Sequence, residues 1–132
     1  MNARPPDRLE FQGSEVRSAE LGDEGLLTLV LSAAAVSRAD GRTGHLRPVL
    51  LRLEGARIEV DGRLDEAFGT IAWGRWRAAT GPWSAALEAP GRVQAPVRLE
   101  LRLGHGTALV VEAVALEAVV PDGARFMESW AC

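Results

Sequence analysis

Three of the four tryptophans lie within eleven residues, in Trp73-Gly74-Arg75-Trp76-Arg77 and at Trp83. Aromatic faces alternating with guanidinium forks carry binding energy at protein surfaces, by stacking and by paired hydrogen bonds to carboxylates or phosphates. In a strand, Trp73, Arg75 and Arg77 share one face and Trp76 takes the other. Trp73, Arg75, Arg77 and Trp83 are therefore the expected partner-binding residues, with Trp76 in the core. The competing reading is structural: buried tryptophans fill one end of a barrel and the arginine stems lie over them.

Residues that hold metals or run hydrolysis are scattered. His45 and His105 stand sixty positions apart, outside any spaced ligand motif, with only Asp40, Asp61, Asp65 and Glu66 to join them. His105 lies between two glycines at a turn, where a polar side chain in solvent is the normal occupant. No metal and no cofactor is expected. Gly13-Ser14-Glu15 and Pro82-Trp83-Ser84 do not match the Gly-x-Ser-x-Gly elbow. Cys132, the single cysteine, sits at the last position, which suits neither an internal disulfide nor a rigidly held nucleophile. Asp65 and Glu66 point to opposite faces if extended, so they make no carboxylate couple. Gly22-x-x-Gly25 and Gly41-x-x-Gly44 lack the Lys-Ser/Thr of a phosphate loop, and Gly104-His105-Gly106 holds two glycines of a dinucleotide motif. Enzymatic activity would need residues gathered by folding, and a non-catalytic role is the favoured one.

Composition sets the frame for these residues. The chain has 132 residues, 47% of them hydrophobic and 25% charged, which is the balance of a folded domain and not of a disordered one. A formal net charge of −3 gives no global field that recruits nucleic acid or anionic membrane. All 15 basic residues are arginine, as GC-rich bacterial coding favours. Met1 to Arg8 lacks the apolar core of a signal peptide, and no apolar run approaches the roughly 20 residues of a membrane-spanning helix. A cytoplasmic location is expected.

The elements that position the tryptophans read as strands. Val97-Arg98-Leu99-Glu100-Leu101-Arg102-Leu103 alternates apolar with charged residues, which only a half-buried strand explains. Gly104-His105-Gly106 turns the chain, and Thr107 to Val120 returns as the second arm of a hairpin. Leu27, Leu29, Leu31 and Ala33 mark the buried face of another strand. Buried parity switches from Val49, Leu51 and Leu53 to Ala56, Ile58 and Val60, so an extra residue is expected at Glu54-Gly55. A similar switch predicts a second bulge near Val114-Ala115. Leu9 to Phe11 reads as an edge strand, Ser37 to Leu46 as a loop, Asp61-Gly62 as a hairpin turn, and Thr70 to Arg77 as a strand in an irregular stretch. Trp83 to Leu87 reads as a short strand. Ala124 to Trp130 suits two helical turns, with Phe126 and Trp130 four apart.

The fold expected is all-β and mainly antiparallel: one small sandwich or barrel over residues 9–132, with a short C-terminal helical turn and a mobile arm at residues 1–8. Its expected role is a protein-interaction or self-associating accessory domain, binding another protein or itself as a homodimer through an edge strand or the Trp/Arg segment. The alternatives are a barrel that takes a small molecule or carbohydrate at a mouth near Ser37–Leu46 and Trp73–Trp83, and an enzyme with a dispersed site.

Overall fold

The computed structural model describes residues 5–129. Twelve strands follow in order: β1 (Asp7–Leu21), β2 (Leu27–Ser37), β3 (Thr43–Arg47), β4 (Val49–Glu54), β5 (Arg57–Asp61), β6 (Gly69–Ala78), β7 (Ala86–Ala89), β8 (Gly91–Val93), β9 (Val97–Leu103), β10 (Ala108–Ala113), β11 (Ala115–Val119) and β12 (Arg125–Glu128). They pair antiparallel in the order β5-β10-β9-β6-β1-β2-β4-β11-β8, with β7 beside β1 and the pair β3–β12 beside β2. The class is all-β, as the alternation predicts. No helix among the described residues is long and apolar enough to cross a membrane.

The sheet folds over so that β1 and β2 face β9 and β10 across one core. Leu99, Leu101 and Leu103 of β9 are buried, and so are Leu27, Leu29 and Leu31 of β2. A void of about 10 Å³ lies between Val16 and Leu29 on one side and Leu101, Leu103 and Leu109 on the other. That is room for about one water. Packed leucines, not a cavity, occupy this part of the interior.

The two expected bulges form a single corner. β4 pairs with β11 from Leu50↔Val119 to Glu54↔Ala115, and β5 pairs with β10 from Arg57↔Glu112 to Asp61↔Ala108. Gly55 and Val114 stand between these ladders, and the Val114 N–H donates to the Glu54 carbonyl at 2.8 Å. Each arm carries its extra residue opposite the other, so both change buried parity at one place and their mutual register runs on unbroken. Gly55 makes this with φ +59°, in the left-handed region open to glycine.

A different irregularity interrupts β1. Its pairing with β2 shifts between Glu10 and Glu15, where Gly13 adopts φ +86°. The fully buried Ser14 fills the gap: its hydroxyl donates to the Glu10 carbonyl at 2.6 Å and accepts the Ala35 N–H at 2.9 Å. Gly13-Ser14 is thus a bulge inside one long strand. Leu9 to Phe11 are not at an edge either, because β7 pairs with that end of β1 and β2 covers its other side.

Three further expectations change. The C-terminal helical turn is absent: Arg125–Glu128 is β12, paired with Arg47 to Gly44 of β3. An apolar pair four apart is worth only about 0.2–0.5 kcal/mol in a helix. Pairing with β3 offers the backbone a ladder instead, and Gly44 makes the close approach possible. A Cβ there would fall 2.8 Å from the Glu128 Cα. Trp130 lies outside the described residues. Asp61-Gly62 closes no hairpin, because β5 pairs with β10 and a 3-10 turn at Leu64–Glu66 leads on to β6. The Ser37–Leu46 loop is shorter than expected, since Thr43–Arg47 is already strand. Of the expected arm, residues 1–4 lie outside the described residues, and Asp7 and Arg8 belong to β1.

Candidate functional site

The Trp/Arg segment is β6, and its alternation places the residues as period two requires. A register shift between Ile71 and Trp73 sets Gly74, Trp76 and Ala78 inward and Trp73, Arg75 and Arg77 outward. Trp73 is 46% exposed. Trp76 is half-buried against the core, and its indole N–H donates to the Ala86 carbonyl at 2.7 Å. One tryptophan is therefore structural and one faces solvent.

Trp83 reaches the same outer face by a return of the chain. Trp76 and Ser84 exchange two backbone hydrogen bonds, of 2.9 and 2.8 Å. The Ser84 hydroxyl fixes the turn further by donating to the Ala86 carbonyl at 2.8 Å. This lays the Trp83 ring over the arginines: the Arg75 guanidinium carbon lies 3.8 Å from its centroid and that of Arg77 5.0 Å. Arg75 also lies 5.2 Å from the Trp73 centroid. All four expected site residues come together, with Arg75 between the two rings.

The neighbouring strand completes the site with residues whose part the sequence did not reveal. Arg75 of β6 is directly opposite Glu100 of β9, and Arg77 is opposite Arg98. Glu100 accepts from Arg75 Nε at 2.8 Å and from Arg98 Nε at 2.9 Å, while Arg98 Nη1 donates to Glu112 at 2.8 Å. Partial burial alone would push the Glu100 carboxyl up, but the hydrogen bonds from Arg98 and Arg75 outweigh it and hold the group below its ordinary range. Glu100 thus locks Arg75 beneath Trp83.

What stays unmatched is positive. Arg77 stacks on Trp83 and has no carboxylate partner among the described residues. Arg102, opposite Trp73, is exposed and likewise unpaired among them. On the outer face of β6, β9 and β10 four arginines (75, 77, 98 and 102) stand against Glu100 and Glu112, on a chain whose net charge is negative. A groove of about 420 Å³ begins at Arg77 and runs past Pro96, Val97 and Arg98 to the exposed Val114. The arrangement offers stacking faces, a clamped guanidinium and free ones to an anionic group.

The other sequence candidates hold structure. His105 Nε2 lies 2.7 Å from the Phe68 carbonyl and Nδ1 lies 3.3 Å from Thr107 Oγ1, so the ring ties the hairpin tip to the segment before β6. His45 lies 3.4 Å from the Gly13 carbonyl at the β1 bulge. The hydroxyls of Ser14 and Ser84 are both committed to backbone groups. At the expected barrel mouth near Ser37–Leu46, the Arg38 guanidinium lies 3.7 Å from the Phe126 ring centroid and 3.8 Å from Asp7, in a mostly buried stack that Arg42 extends. Asp40 binds Arg42 on the turn beside it. No protein-family model, no curated protein and no solved structure matches this chain.

Proposed function

We propose that the chain is a non-catalytic interaction domain that holds an acidic segment of a protein partner against Trp73, Arg75, Arg77 and Trp83. One observation carries this reading: Glu100 and Trp83 fix Arg75, while Arg77 beside it is left without a carboxylate. Fixed aromatic and arginine groups lose little entropy on binding, and free cations select anionic partners and speed encounter. The partner is expected in the cytoplasm, with neither a cofactor nor nucleic acid required.

The test is a titration with a peptide rich in Asp and Glu, against a Lys-rich control, followed by tryptophan fluorescence. Saturable binding of the acidic peptide that weakens as salt rises, and that Arg77→Ala lowers by about 1–3 kcal/mol, is the expected result. Equal response to both peptides, or indifference to Arg77→Ala, would refute it. A second reading, an anionic small molecule, is favoured only by the groove beside Arg77, whose size falls within the range of small-ligand sites.

A further inference from the structure

β5 is the longest of the described strands that pair on one side only: β7, β8 and β12 have three or four residues and β5 has five. Its residues alternate strictly. Arg57, Glu59 and Asp61 are exposed on the outer face, and Ile58 and Val60 are half-buried inward, opposite Val111 and Leu109 of β10. Neither Arg57 nor Glu59 has an ion-pair partner among the described residues, since Glu112, across from Arg57, is taken by Arg98. A free edge of this length is a template for another strand unless its side chains forbid pairing.

We propose that β5 is a self-association edge: two copies pair antiparallel about a two-fold axis through Ile58, each Arg57 facing Glu59 of the partner subunit. The charges select this register. Centring the axis on Arg57 sets the two arginines opposite. Centring it on Glu59 pairs Arg57 with Asp61 of the partner subunit but sets the two glutamates directly opposite. An axis on Val60 sets Glu59 against Asp61 of the partner subunit, so only the Ile58 register pairs opposite charges with no like-charge contact. Shifting by a half-step turns the inward residues outward. With the axis at Ile58, both unpaired charges find partners twice over, and Ile58 meets its own copy on the inner face. The two-fold axis makes the contact closed, so it stops at a dimer and does not propagate into a fibre. The Arg and Glu that would guard the edge against a random strand thus admit one strand, their own copy.

The test uses the full chain in sedimentation-velocity runs from micromolar to millimolar concentration. A concentration-dependent dimer is expected. Arg57→Glu or Glu59→Arg alone should each raise its dissociation constant about tenfold or more, because each reversal sets two like-charge contacts across the axis. Mixing the two variants should restore association, since each strand then meets its complement, and the doubly swapped Arg57→Glu/Glu59→Arg chain should dimerise like the parent. Both positions are solvent-facing, and circular dichroism checks that the variants fold. A parent chain monomeric at every concentration would overturn the proposal. So would a dimer indifferent to both reversals, or a mixture no more associated than its parts.

Discussion

Gly74 and Phe11 meet in the core at a distance that admits no side chain on the glycine. A Cβ on Gly74 would lie 2.7 Å from the Phe11 Cβ and equally close to Leu101 Cδ2. The one inward position without a side chain in Trp73-Gly74-Arg75 is what lets β6 lie close over β1 while its outer face carries the rings. Gly74→Ala should therefore destabilise the domain by about 1–3 kcal/mol through overpacking, read as a lower urea midpoint. An unchanged midpoint would show that Phe11 repacks freely.

Ser14 is a structural hydroxyl. Ser14→Ala leaves the part-buried Ala35 N–H and the Glu10 carbonyl without their partner. A loss of about 1–3 kcal/mol is expected, while Ser14→Thr should recover part of it if the extra methyl is accommodated. Equilibrium unfolding of the two variants separates the hydroxyl from the packing, and equal losses would argue against the bridging role.

Arg75 and Arg77 should behave differently although they share a face. Arg75→Ala removes the group between Trp73 and Trp83 and leaves Glu100 with Arg98 alone, so near-ultraviolet circular dichroism of the tryptophans should change. Arg77→Ala should leave that spectrum intact and weaken acidic-peptide binding. If both variants alter the spectrum alike, Arg77 belongs to the scaffold.

Glu100 makes stability depend on acid. Its carboxyl titrates lower in the folded chain than in the unfolded one, so the folded state binds fewer protons and stability rises with pH through that interval. The contribution is complete above the unfolded carboxylate value of about 4.3 and fades as pH falls towards the folded value. Glu100→Gln should be less stable than the parent at pH 7, with the gap narrowing on acidification. Urea midpoints from pH 7 to pH 3 test this, and a constant gap would contradict it.

Leu101→Ala should cost about 2–5 kcal/mol, the loss of a buried leucine plus the cavity left beside Val16, Leu29 and Gly74. Thermal unfolding of the variant checks it, and a loss below the range would mean that the two sides of the core close over the gap.

The face of each residue was legible where one side of a strand is buried. Alternation at Val97–Leu103 and at Trp73–Arg77 reports burial directly, and the parity changes at Gly55 and Val114 report the bends. Which strand pairs with which was not legible. β5 joins β10 in place of the neighbouring β6, and Arg75 finds Glu100 twenty-five residues away, because pairing rests on contacts that no local window contains. That is why the ion pair of Glu100 with Arg75 is invisible in sequence, where each is only a charged residue on the polar face of its own strand. The helical signal over Ala124 to Trp130 is the opposite case: it is weak and local, and a strand partner about eighty residues upstream overrides it at Arg125–Glu128.

The corner at Gly55 and Val114 also constrains how the length of this chain can vary. A residue lost from one arm alone would slide β5 against β10 by one position. Ile58 and Val60 would then turn to solvent, with Arg57 and Glu59 towards the core. Losing one residue from each arm together keeps the register and merely straightens the corner. Insertions and deletions at Gly55 and Val114 are thus coupled across almost sixty residues of sequence: a length change tolerated at one site requires its match at the other.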